Sequence, residues 1–190
     1  MRKIVFDIET KNDFTNGSYD PAKLEISVVG VYDSETDAYT SFLEEEFPRL
    51  WPILERTDML VGYNSDHFDI PILNRYYPGD LTRIKSLDLL KEVKNSLGRR
   101  LRLDTLAEAT LGKNKTASGY QAVQWWKEGQ IEKIKSYCLE DVKITKELYD
   151  YALKNGLLKY KDLGQLRDIK LDTSHWEEKQ ESALTHSLPF

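Results

Sequence analysis

Residues 4–10 read Ile4-Val5-Phe6-Asp7-Ile8-Glu9-Thr10. A short apolar, β-branched run with a polar end is a strand, and this reading takes it from Lys3 to Glu9. Side chains two apart on a strand share a face. Asp7 and Glu9 therefore project together, while Phe6 and Ile8 point the other way, into a core. Two carboxylates this close repel unless cations lie between them. A strand that merely ends in surface acids explains the pair on its own, so the rest of the chain has to decide.

Working outward, Ile26–Tyr32, Ala38–Leu43 and Met59–Tyr63 read as further strands, and Asp13–Leu24, with Asn16-Gly17 and Pro21, as a loop. Glu44–Arg56 reads as a short helix interrupted around Pro48 and Pro52. Helical patterns follow at Ile70–Tyr76, Ile84–Leu97 (stopped by Gly98), Leu103–Leu111 (stopped by Gly112), Ala122–Lys127 and Glu132–Asn155 (stopped by Gly156). Strands first, then alternation with helices, predict an α/β fold with a mixed central sheet flanked by helices. After Gly156 the pattern changes. Leu157–Tyr160 and Arg167–Leu171 look like two short strands around Asp162-Leu163-Gly164, and from Asp172 the chain is polar until Leu188-Pro189-Phe190. The expected organisation is a main domain over 1–156 and a C-terminal extension over 157–190.

The 190 residues carry 40% hydrophobic and 31% charged side chains, an ordinary globular balance for one core. The single cysteine, Cys138, excludes an internal disulfide framework and reads as a small buried thiol within a helix. No apolar run reaches the length of a membrane span and no leader pattern opens the chain, so the expectation is a cytoplasmic protein without a membrane partner. Net charge is −5, which argues against a general nucleic-acid coat. Positive charge is nonetheless concentrated. Arg83, Lys85, Lys91, Lys94, Arg99, Arg100 and Arg102 stand against only Asp88 and Glu92, either as a solvated face or as a phosphate-tracking edge.

Two later segments add chemistry to the first. In Gly62-Tyr63-Asn64-Ser65-Asp66-His67-Phe68-Asp69, a strand runs into a turn and Asp69 stands near the start of a helix. A carboxylate there is also a plain helix cap. Asn64 and Phe68 set an amide and an aromatic face beside it, a pairing that suits a stacked nucleotide. His67 is read as a surface residue. In Tyr137-Cys138-Leu139-Glu140-Asp141, Tyr137 and Asp141 are four apart and share a helix face. Asp141 can complete a cage of oxygen ligands, and Tyr137 can hold a water, although a half-buried aromatic on an amphipathic helix is an ordinary alternative.

In this order, the three segments resemble the three motifs of DnaQ-like, DEDD-type 3′–5′ exonucleases with a ribonuclease H-like fold. The Asn-x-x-x-Phe-Asp form most resembles the proofreading domain of family B DNA polymerases. Ser86-Leu87-Asp88-Leu89 and Arg102-Leu103-Asp104-Thr105-Leu106-Ala107 support that branch, and the resemblance covers roughly residues 1–155. It implies Asp7, Glu9, Asp69 and Asp141 as metal ligands and Tyr137, in place of histidine, as the residue that positions water. It further implies Thr10, Asn64 and Phe68 as contacts to the 3′-terminal nucleotides, with two Mg²⁺ or Mn²⁺ ions as cofactors. The expected reaction is hydrolysis of single-stranded or frayed DNA 3′ ends to nucleoside 5′-monophosphates. RNA trimming, or a catalytically silent binding module on the same fold, are the alternatives. No polymerase pattern follows Asp141, so the enzyme is expected to act alone or be recruited. Residues 185–190 (Thr185-His186-Ser187-Leu188-Pro189-Phe190) resemble sliding-clamp-binding peptides, with Leu188 and Phe190 as apolar anchors.

Overall fold

In the computed structural model, the described residues are 1–14, 21–113 and 119–178. The clamp-like segment with Leu188 and Phe190 lies outside them. Among the described residues, seven strands and six α-helices follow one another: β1 (Lys3–Thr10), β2 (Ile26–Asp33), β3 (Ala38–Phe42), α1 (Phe47–Glu55), β4 (Met59–Gly62), α2 (Asp69–Leu73), β5 (Lys85–Asp88), α3 (Leu89–Leu97), α4 (Leu103–Leu111), α5 (Gly119–Lys127), α6 (Ile131–Asn155), β6 (Leu157–Asp162) and β7 (Gln165–Lys170).

The first five strands form one mixed sheet in the order β3-β2-β1-β4-β5. The pairs β3–β2 and β2–β1 are antiparallel, and β1–β4 and β4–β5 are parallel. The parallel steps need helical crossovers, which α1 and α2 supply. The predicted α/β architecture, a mixed sheet flanked by helices, is the observed one.

The alternation of β1 separates two apolar layers. Ile4, Phe6 and Ile8 pack with Val29 and Val31 of β2, Leu50 and Leu54 of α1, and Ile70, Ile72 and Leu73 of α2. Val5, on the opposite face, joins Val61, Leu87, Leu89, Val93, Leu106, Val142 and Leu148. Asp7 and Glu9 share the face of Val5, on which α6 lies. Helix α6 stops at Gly156, whose φ of 65° is one that glycine adopts without a Cβ penalty.

Three local expectations are corrected. Ile84–Leu97 is not one helix. Its first part is strand β5, paired with β4, and Asp88 caps α3 by accepting from the N–H groups of Leu90 and Lys91. Burial of Leu87 against the parallel neighbour outweighs the local helical pattern. Of the two expected breaks after Glu44, the one at Pro48 is seen, at the start of α1, and the one at Pro52 is not. Residues Glu44–Glu46 form a 3₁₀ turn, and α1 then continues through Pro52 because Phe47, Leu50 and Leu54 bury one face of it. The stretch after Asp172 is not without core residues. Trp176 is fully buried, stacks on Tyr149 with centroids 5.7 Å apart, and points its Nε1 at Glu92.

The β6–β7 hairpin belongs to the same apolar layer as α4 and α6, through Leu158, Tyr160, Ile169 and Leu171, and Trp176 closes that layer. Replacing Trp176 by Ala opens a large void under Tyr149. We expect a loss of about 3–5 kcal/mol in chemical denaturation; a loss under about 1 kcal/mol would show that the segment around Trp176 is not part of the cooperative unit.

Candidate active site

The site forms where β1, the turn after β4 and the middle of α6 meet. The register of β1 aims Asp7 and Glu9 at α6, and the pairing with β2 shifts by a bulge between Glu9 and Thr10. Gly30 of β2 lies opposite Asp7. A Cβ on Gly30 would come within 2.9 Å of Cys138 Sγ and 3.1 Å of Val142 Cγ2, so only glycine allows α6 this close. One oxygen from each of Asp7, Glu9 and Asp141 then falls within 4.8 Å of the other two. Glu9 and Asp141 are buried and Asp7 is partly exposed.

Asp69 arrives from the other side. Asn64, with a left-handed φ of 66°, bends the chain after β4, and Asp69 opens α2. It does not serve as a helix cap: its Oδ1 accepts the Ile8 N–H of β1 at 3.0 Å. Asp69 is buried, which pushes its pKa up to about 7. The Ile8 hydrogen bond counters this, and Asp88 and Asp141 add to it. Asp69 lies outside the tightest trio of oxygens but lines the same cavity of about 310 Å³ as Asp7, Glu9, Thr10, Asn64, Phe68 and Tyr137.

Tyr137 is buried, its ring edge-on to Trp125 at 6.0 Å. Burial, then Asp141, Glu9 and Asp7, drive its phenol pKa far above the ordinary value, so the hydroxyl keeps its proton. Phe68 is half-buried and meets Phe14 edge-on at 6.3 Å. His67 is exposed, as its sequence context predicts.

Seven of the eight predicted site residues thus line one cavity, Asp141 meets it through Asp7 and Glu9, and the structure adds residues that the sequence did not single out. Cys138 was read only as packing. Its Sγ lies 3.4 Å from the Asp7 carbonyl oxygen and 3.7 Å from Asp7 Oδ2, so the thiol lies against the cluster as well as in the core. Burial raises its pKa well above the usual thiol value, and it stays neutral. Asp88, quoted only as part of a supporting motif, accepts the Asn64 N–H at 2.8 Å and the Asp66 N–H at 3.2 Å, holding the turn that carries Asn64. Tyr120 lines the cavity while 74% exposed; a lone tyrosine before a short helix gave no signal.

The donor set decides what the cluster can hold. Three carboxylate oxygens within 4.8 Å repel one another, and hard oxygen donors suit a divalent cation such as Mg²⁺ or Mn²⁺. The residues present therefore fit a metal. Among the described residues no helix is long and apolar enough to cross a membrane.

A family model described as the RNase_H superfamily matches residues 4–153. No curated protein matches the chain. Among solved structures, the family B DNA polymerase from the hyperthermophilic archaeon Pyrobaculum calidifontis is similar, with a TM-score of 0.63 and 22% identity. The match covers 80% of this chain and 24% of the polymerase, so the chain spans about a quarter of that protein's length, and the likeness at this identity is one of fold. With its mixed sheet, its acidic trio and a family match running from β1 almost to the end of α6, the chain belongs to the RNase_H superfamily.

Proposed function

We propose that this protein is a metal-dependent 3′–5′ exonuclease of the DEDD type, tyrosine subtype, which hydrolyses single-stranded or frayed DNA ends to nucleoside 5′-monophosphates. The observation that carries this reading is the convergence of Asp7, Glu9 and Asp141 within 4.8 Å, with Asp7 and Glu9 lining one cavity with Asp69, Tyr137, Asn64 and Phe68. A silent module would need none of this geometry. The choice of DNA over RNA rests on the resemblance of the Asn64-x-x-x-Phe68-Asp69 motif to polymerase proofreading domains.

Asp7, Glu9 and Asp141 would hold one divalent ion. Asp69, together with Asp7, would supply ligands for a second. Such ions make water acidic enough to attack at neutral pH and offset charge on the phosphate. The chain's own residues do the positioning. Phe68 offers a ring on which the terminal base can stack, and Asn64 and Thr10 offer polar groups to the sugar and phosphate. Tyr137, which keeps its proton, orients the attacking water rather than acting as a base. A duplex end must fray before its last nucleotide can enter.

The test is time-resolved cleavage of a 5′-labelled single-stranded DNA with Mg²⁺ or Mn²⁺, beside a matched RNA. A ladder shortening from the 3′ end is expected. Asp7→Ala should lower the rate by at least roughly 10³-fold while leaving the fold intact. Retained activity in that variant overturns the assignment. Tyr137→Phe should slow cleavage by roughly 10²-fold with metal binding preserved; an unchanged rate would reduce Tyr137 to packing.

The pKa of Asp69 makes a separate prediction. Folding raises it from 3.8 to about 7, so between those values the folded chain holds a proton that the unfolded chain has lost. The contribution of Asp69 to the stability of the metal-free protein is therefore greatest at the acidic end of that window and falls as pH rises to about 7. Asp69→Asn should flatten the fall, and Mg²⁺ should restore stability at the alkaline end. Denaturation midpoints across pH, with and without chelator, measure it; identical profiles for Asp69→Asn and the wild type would refute the attribution to Asp69.

A further inference from the structure

A second cavity, of about 330 Å³, lies on the far side of the Asn64 turn, between that turn, α3 and the segment that follows α3. Asn64 lines both cavities, so the two adjoin. Three cations line the second one: Lys91, Lys94 and Arg100, all exposed.

These are not ordinary members of the basic stretch between residues 83 and 102. Arg83, Arg99 and Arg102 are each matched to a carboxylate, on Asp80, Asp162 and Asp104. Lys85 donates to the carbonyls of His175 and Glu178. In the cavity only Lys91 has a carboxylate partner, Asp66 at 3.1 Å. Lys94 makes no ion pair among the described residues, and Arg100 donates to an amide oxygen, Asn64 Oδ1, rather than to an acid. The other carboxylate of the lining, Asp88, is buried and occupied by the backbone N–H groups of Asn64, Asp66 and Leu90. Three cations thus stand against two carboxylates around the cavity, a locally positive lining in a chain whose net charge is −5.

The Arg100 contact also links the two cavities chemically. An amide presents its oxygen as acceptor and its nitrogen as donor. With Oδ1 turned to Arg100, Asn64 keeps its NH₂ group for a ligand. The same side chain thus ties the cationic cavity to the nucleotide pocket.

We propose that this cavity is a second phosphate subsite, which seats backbone phosphates of a single strand on the 5′ side of the bond held at the carboxylates, through Lys91, Lys94 and Arg100. The subsite rests on the exonuclease reading above for its place relative to the scissile bond. Its ligand is the phosphodiester chain, which DNA and RNA share, and it gives a short-reaching acidic enzyme a grip beyond the terminal nucleotide.

The test compares the wild type with a Lys91→Ala/Lys94→Ala variant, which changes exposed side chains only. One substrate is the p-nitrophenyl ester of thymidine 5′-monophosphate, which has no upstream phosphate. The others are 5′-labelled dodecamers of thymidylate and of uridylate. The variant should raise KM for the dodecamers roughly tenfold, and losing two contacts should flatten the dependence of log KM on log salt by about 1.4. Turnover of the ester and kcat on the dodecamers should stay unchanged. Unaltered KM and salt dependence overturn the subsite, as does an equal loss on the ester. A larger effect on one dodecamer identifies the polymer that the subsite serves. Should the wild type cleave nothing, the exonuclease reading fails, and fluorescence anisotropy of the labelled dodecamers with Ca²⁺ still decides. Weaker binding by the variant upholds the phosphate subsite, and equal binding removes it.

Discussion

Everything at the site depends on how closely α6 approaches the centre of the sheet. The pleat of β1 fixes where Asp7 and Glu9 point, and the helical repeat of α6 fixes Tyr137 and Asp141 on one side of it. Neither determines the gap between them. That gap is set at Gly30, opposite Asp7, where the absent side chain leaves room for Cys138 and Val142. A thicker strand at this point would push the helix outward and pull Asp141 away from its partners. The acidic cluster is therefore a consequence of packing two residues of the chain that carry no charge at all.

The arrangement works against stability. Carboxylates are brought together and partly removed from water, and both effects disfavour their charged forms. What sustains it is the apolar layer on each side of β1: Ile4, Phe6 and Ile8 beneath, Val5 with α3, α4, α6 and the β6–β7 hairpin above. The same tension is what makes the site receptive to a cation, since a divalent ion relieves the repulsion that the fold maintains. Asp69 shows the balance in one residue. Burial raises its pKa, and the Ile8 N–H, itself on the strand that carries Asp7 and Glu9, moderates the rise.

Much of this was legible in the sequence, for identifiable reasons. The alternation in β1 and the length of α6 are strong periodic signals, and the three acidic segments fall on the elements that their patterns predicted. Failures occurred where a distant neighbour decided. Ser86-Leu87-Asp88 continues a helical pattern locally, yet it becomes a strand because β4 lies beside it. Pro52 signals a break, yet α1 continues because its buried face holds it. Trp176 stands alone in a polar stretch, and its burial depends on a slot formed by Tyr149 and Glu92, far away in sequence. At the site, the acidic residues could be read, but not the contacts that support them. Cys138 meets Asp7 across 131 positions and Arg100 meets Asn64 across 36, separations that no local pattern encodes.

Net charge, too, misleads when it is averaged over the chain. An overall −5 would repel a polyanion if it were spread evenly. Here the negative charge at the carboxylate cluster is the part that a metal would cancel, while Lys91, Lys94 and Arg100 line the adjoining cavity, outnumbering its Asp66 and Asp88. Asn64 lies at the boundary, its backbone held by Asp88 and its amide by Arg100. On the proposed function, a strand approaching this face would meet cations and, with metal in place, a neutralised acidic site beside them. Carboxylates and cations line two cavities that share one left-handed asparagine, and on the proposed function that segregation would let an acidic protein present a surface suited to a phosphodiester chain.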